Sequence, residues 1–131
     1  MISRSENMRR IRATNTKPEI AVRQAVCRLG YRGYRLNVSH LPGKPDIVFN
    51  RLSKAIFVNG CFWHGHDCKE GVRIPQSNRR YWIAKIDGNC QRDLLHRTAL
   101  KGLGWKVLTI WECEIPLIAK IEARLLKFLR A

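Results

Sequence analysis

Residues 41–61 read "LPGKPDIVFNRLSKAIFVNGC", two short apolar runs with turn chemistry ahead of them and between them. "LPGKP" (41–45) and "NRLS" (50–53) carry the Pro, Gly, Asn and Ser that punctuate a chain. "DIVF" (46–49) and "KAIFVN" (54–59) are β-branched and aromatic and too short for helices, so they predict two strands joined by a turn. A sheet therefore lies at the middle of the chain, and the flanking segments say what covers it.

Toward the N-terminus, "YRGYRLNV" (31–38) predicts a further strand. Before it, "TKPE" (16–19) opens a helix, with Thr16 as cap and Glu19 at the capping-box position. Val22, Ala25, Val26 and Leu29 follow at helical spacing, and Gly30 ends the helix. Residues 3–12 predict a short basic helix with Met8 and Ile11 three apart. Toward the C-terminus, residues 78–104 predict a long helix whose middle Gly88 weakens. "WKVLTIW" (105–111) is continuously apolar and predicts a buried central strand. Residues 116–130 predict an amphipathic helix, with Ile118, Ile121, Leu125 and Leu129 on one face and Lys120, Arg124 and Arg130 on the other. The order helix, helix, three strands, helix, strand, helix predicts an α/β layer, a mixed sheet flanked by helices.

The 131 residues fit one domain, and a 45% hydrophobic content can build a core without staples. Lys and Arg number 25 against 10 Asp and Glu, a net charge of +15. Such a field attracts polyanions, which favours nucleic acid as partner over a membrane surface, since no long apolar run is present. The first residues are too polar for a signal peptide, so a reducing compartment is expected. There, five cysteines (27, 61, 68, 90 and 113) point to metal and not to a disulfide framework.

"GCFWHGHDC" (60–68) concentrates the chemistry. Cys61, His66 and Cys68, with Cys113 beyond the apolar run, form a set of four that suits closed tetrahedral zinc. The spacing is equally compatible with free thiols and an exposed histidine. Cys27 and Cys90 fall on apolar helix faces and read as small core residues. Asp46 reads either as an ordinary strand-start acid or as a magnesium ligand of a phosphodiesterase site. Asp93 shares a helical face with Ile86 and Cys90, so its carboxylate needs a partner. His64 would make it a general acid/base pair, and Arg92 or Arg97 a surface ion pair. Phe62, Trp63 and Trp82 read as base-stacking wedges or as core aromatics.

Taken together, "SENMRRIRATNTKPE", "LPGKPDIVF", "GCFWHGHDC", "NCQRD" and "LGWKVLTIWEC" resemble the very short patch repair (Vsr) DNA mismatch endonucleases, in the family's order from about Ser3 to Cys113. The resemblance implies a restriction-endonuclease-like fold in a single domain, residues 1–131, with residues 1–14 as a basic DNA-gripping helix. It implies magnesium-dependent nicking of one DNA strand beside a T:G mismatch left by deamination of 5-methylcytosine, with a 5′-phosphate product. By motif, Asp46 matches the magnesium-binding aspartate, with the Val58 backbone carbonyl as its companion ligand. His64 matches the catalytic histidine, Asp93 its supporting carboxylate, and Glu19 an acidic residue near the active site. Cys61, His66, Cys68 and Cys113 match structural zinc ligands. Phe62, Trp63 and Trp82 match the aromatics that enter the duplex, and Met8 and Ile11 the helix in the opposite groove.

The chain departs from related nucleases at Val58, where a carboxylate can stand. Asn59 occupies the place of a histidine in the best-known family form and cannot carry its charge. Gly65 and Asp67 interrupt a histidine run. The resulting expectation is a monomeric bacterial cytoplasmic enzyme, nucleoid-associated, acting on mismatched duplex DNA with downstream repair proteins. The alternative is a zinc-stabilised DNA-binding module without catalysis.

Overall fold

The computed structural model describes residues 16–66, 68 and 74–131. Met8, Ile11, the expected helix at residues 1–14 and Asp67 lie outside the described residues.

Helix α1 (Lys17–Arg28) starts as its sequence requires. Thr16 Oγ1 accepts the Glu19 N–H at 3.4 Å, and Pro18 sits in the first turn, where its missing donor is harmless. Gly30, at φ +88°, takes the left-handed turn that ends it. Strands β1 (Arg35–Leu36), β2 (Ile47–Phe49) and β3 (Lys54–Asn59) follow, with a short 3₁₀ turn at Asn50–Leu52 between the last two. Of "YRGYRLNV" only Arg35 and Leu36 pair as a strand. The flanking Gly33 (φ 78°) and Asn37 (φ 50°) are left-handed and break the extended path on both sides.

Helix α2 (Arg79–Gly102) crosses over to β4 (Lys106–Trp111), a 3₁₀ segment covers Glu112–Leu117, and α3 (Ile118–Arg130) completes the order. Gly88 does not interrupt α2, which runs unbroken for 24 residues. The sheet order is β1-β2-β3-β4, antiparallel for the first two pairings and parallel between β3 and β4. A parallel pair needs a long crossover, and α2 is that crossover.

The core packs α1 and α3 onto one sheet face. Val22, Ala25 and Val26 meet Ile47, Phe49, Ile56, Val58 and Ile110, with Ile121, Leu125 and Leu129 closing over them. Val48 and Ala55 are also fully buried but lie outside that cluster, as strand alternation requires for the opposite face. Lys54, only 3% exposed, ties the sheet to α3: its Nζ donates to Phe128 O, Leu129 O and Ala131 O at 2.7, 3.0 and 2.6 Å. Burial, with Lys106 nearby, draws its pKa below the ordinary lysine value.

One expectation is corrected. "WKVLTIW" forms β4, but among the described residues β4 is the edge strand, not a central one, and Ile110 alone is fully buried. Its apolar run reflects helices over both faces, not neighbouring strands on both sides. A mixed sheet flanked by helices in this order is the restriction-endonuclease-like fold. No helix among the described residues is long and apolar enough to cross a membrane.

Candidate active site

The loop after β3 is held by one stretch of α2. Asn89 Nδ2 donates to Trp63 O at 2.9 Å, and Cys90 Sγ donates to His64 O at 3.1 Å. One turn on, Asp93 Oδ2 lies 2.5 Å from His64 Nδ1. Gly65 permits this docking. Its φ is +59°, and a Cβ there would meet Cys90 Sγ at 2.8 Å and Ile86 Cγ2 at 2.9 Å. A larger residue would collide and be strained as well. Asp93 therefore pairs with His64 across the fold, while Arg92 hydrogen-bonds Asn89. Cys90, read as a small core residue, is half-buried and serves as a donor to the loop.

His64 and Asp93 face a cavity of about 610 Å³ that Glu19, Asp46, Val58 and Asn59 also line. Asp46 immediately precedes β2, where its N–H donates to Ile56 O at 3.1 Å and its Oδ2 accepts the Val58 N–H at 2.6 Å. Burial pushes the Asp46 carboxyl up to about 7. The Val58 bond and the His64 charge oppose this, while the charge and hydrogen bond of Glu19 add to it. Glu19, 3% exposed, also pairs with Arg23 Nη2 at 3.1 Å. The capping position in the sequence thus carries a carboxylate that reaches the cavity.

Beside this cavity, Cys61, His66, Cys68 and Cys113 bring their ligand atoms within 4.8 Å of one another. The His66 N–H donates to Cys61 O at 3.0 Å and the Cys68 N–H to His66 O at 2.8 Å, so the loop wraps on itself. The Cys113 N–H reaches Cys61 Sγ at 3.3 Å, and Cys113 Sγ lies 3.5 Å from His66 Nδ1. Ligand edges around tetrahedral zinc are about 3.8 Å for sulfur at about 2.3 Å from the ion, so a small contraction closes the set. Burial pushes the Cys61 thiol up to about 12, and raises Cys113 as well. A dication held by these residues would supply the charge that favours their thiolates. The four residues fit a structural metal of the zinc type.

A family model described as DNA mismatch endonuclease Vsr matches residues 2–70. The chain is 46% identical over 118 residues to the type II nicking enzyme V.XorIIP of Xanthomonas oryzae, covering 90% of this chain and 85% of that protein. It is 42% identical over 127 residues to V.NmeAIP of Neisseria meningitidis, covering 97% and 89%. The chain belongs to the Vsr DNA mismatch endonuclease family. The DNA mismatch endonuclease Vsr of Escherichia coli is 36% identical over 113 residues, covering 86% of this chain and 71% of that protein. In general class, this Vsr-family chain is a DNA-acting nuclease.

In this Vsr-family structure Phe62, Trp63 and Trp82 form one edge-to-face cluster, with ring centroids 5.3 to 5.8 Å apart. Trp82 is only 5% exposed, while Phe62 and Trp63 are half-buried at the cavity rim. Tyr81, exposed, extends the cluster at 5.0 Å from Trp82. Sequence reasoning missed Asn89, Arg23 and Trp111. Asn89 carries a usable signal, since it stands four residues before Asp93 on the same helix. The contacts of Arg23 and Trp111 depend on how distant segments dock.

Proposed function

We propose that this Vsr-family chain is a magnesium-dependent endonuclease. It nicks one strand of duplex DNA beside a T:G mismatch of the kind left by deamination of 5-methylcytosine, leaves a 5′-phosphate, and so initiates very short patch repair. The observation that carries the reading is the single cavity lined by Asp46, His64 and Asp93, with His64 Nδ1 already 2.5 Å from Asp93 Oδ2.

The donor set at the cavity fits a hard dication. Asp46 and Glu19 are oxygen donors; burial raises the Asp46 pKa and the Glu19 charge adds to it, and a cation would offset both. Asp46 and the Val58 carbonyl would hold magnesium, with Glu19 beside them. Such an ion, when bound, polarises a phosphate and lowers the pKa of water. The remaining steps belong to the chain's own groups. Asp93 fixes the Nδ1 side of His64, which leaves Nε2 as the nitrogen that moves a proton at the phosphate. Cys61, His66, Cys68 and Cys113 would hold zinc and so lock the loop that carries His64.

The +15 charge holds the phosphate backbone and positions the duplex. Phe62 and Trp63, with Trp82 behind them, wedge at the mismatch, where unstacking costs least. Met8 and Ile11, on the basic segment at residues 1–14, grip the opposite groove. In this reading residues 1–131 act as one domain, monomeric, in the bacterial cytoplasm.

The test is a magnesium cleavage assay on matched and T:G duplexes with both strands labelled. Asp46→Ala and His64→Ala are expected to abolish nicking while duplex binding survives. Undiminished cleavage in either variant overturns the mechanism. Wild-type protein that binds mismatched DNA but never cuts it would leave a zinc-stabilised DNA-binding module.

A further inference from the structure

Trp111 belongs to neither the proposed catalytic set nor the metal cluster, yet it touches both. It is the last residue of β4, opposite Asn59 in the parallel register with β3. Its indole stacks on the His66 ring at 4.1 Å between centroids and 13° between planes. The His64 ring packs edge-on to the same indole, at 6.3 Å and 72°. Gly65, left-handed at φ +59°, lies between the two histidines, and both of their rings meet this one side chain.

The strand end under this indole is fixed from several directions. The Trp111 N–H donates to Glu114 Oε1 at 2.9 Å, Glu114 is paired with Arg124, and Arg124 Nη2 returns to Thr109 O at 3.2 Å. The backbone that carries the indole is thus pinned, and the stack on His66 holds the ring itself.

A histidine tied at one nitrogen keeps some rocking freedom at the opposite edge of its ring. Asp93 holds Nδ1 of His64 and Cys90 holds its backbone carbonyl, which leaves the ring only a small rocking motion for a packed neighbour to limit. Trp111 lies where it does so. We infer that Trp111 is a positioning residue for His64, fixing its ring plane through an indole that is itself stacked on the metal-cluster residue His66. The metal cluster then acts on the reaction centre through this indole as well as through the loop backbone. The inference rests on the proposed catalytic role of His64.

The experiment compares wild type, Trp111→Phe and Trp111→Leu. Both variants keep an apolar side chain there, but only Phe keeps a flat ring. Measured in parallel are zinc per chain, affinity for the T:G duplex, the nicking rate at saturating magnesium and DNA, and the proton resonance of the His64–Asp93 bond, assigned by its loss in His64→Ala. Trp111→Phe is expected to nick within about threefold of wild type, and Trp111→Leu about 100-fold more slowly at unchanged affinity, the scale of a reacting group misplaced by about an ångström. Zinc should stay at about one per chain in all three.

Equal nicking by Leu and Phe variants overturns the inference. So does a Leu variant that loses zinc together with its rate, because Trp111 would then act through the metal alone. If wild type itself does not nick, the functional reading is what fails. The resonance then decides the positioning: kept in Phe and lost in Leu supports it, kept in both overturns it.

Discussion

The helices α3 and α2 make opposite use of their length. In 13 residues α3 buries Ile121, Leu125 and Leu129 in one stripe and joins the main core cluster. In 24 residues α2 buries only Trp82, Ile86 and Leu100, and it leaves Tyr81, Ile83, Leu94 and Leu95 exposed. What α2 supplies instead is a row of polar partners, Asn89, Cys90 and Asp93, together with seats for two glycines. A Cβ at Gly43 would meet His96 Cβ at 2.8 Å, just as one at Gly65 would meet Cys90. The turn leading to Asp46 and the loop carrying His64 are thus both set against this helix. One helix holds the fold together by area removed from water. The other holds geometry, which contributes little to stability and much to any reaction in the cavity.

That contrast breaks first, if it is wrong, at Asp93. Asp93→Asn keeps shape but removes the carboxylate charge beside His64 Nδ1. Nicking should fall by about 10²- to 10⁴-fold while the melting temperature barely moves. A large loss of stability with little loss of rate would erase the distinction. The matching change in α3 is Leu125→Ala, at a fully buried position. It should cost about 2–5 kcal/mol in denaturant unfolding, with the nicking rate of the remaining folded protein unchanged.

The cavity gives a third and smaller handle. Without added magnesium, the folded Asp46 carboxyl titrates at about 7, above its ordinary value of 3.8. The folded state holds this proton more tightly than the unfolded chain does. The group therefore favours folding below about pH 4, and that contribution is lost as pH rises to about 7. Relative to Asp46→Asn, wild type should lose about 2 kcal/mol across that window, after discounting for residual exposure. Melting curves at several pH values measure it, and parallel curves for the two proteins would show that Asp46 is not strained by burial. The smallest effect expected is at the Arg28–Glu122 pair, 2.8 Å apart and partly exposed between α1 and α3. Arg28→Ala should cost less than about 1 kcal/mol, confirming by urea titration that burial, not surface charge, joins those helices.

Much of the packing helix and little of the positioning helix could be read in advance. The α3 stripe repeats at helical spacing, and the Thr16 cap is a local signal, so both were visible in sequence. The edge position of β4 was not. A continuous apolar run reports burial, and burial arises from helices above and below as readily as from strands on either side. The strand expected over residues 31–38 shrank because two left-handed positions there, Gly33 and Asn37, outweigh its aromatic and apolar residues. Cys90 looked like a core residue because its helical face is apolar, and its role as a donor to His64 exists only once the loop docks.

By itself the sequence determined the element order, the basic charge, the amphipathic stripe of α3 and the family of the chain, because these rest on local spacing and on motifs that survive without neighbours. Only the tertiary structure decided which side chains meet. Glu19 beside Asp46, Asp93 beside His64, and Trp111 against both His64 and His66 are contacts between residues 27 to 47 positions apart, which no local signal specifies and which exist only once the separate elements dock.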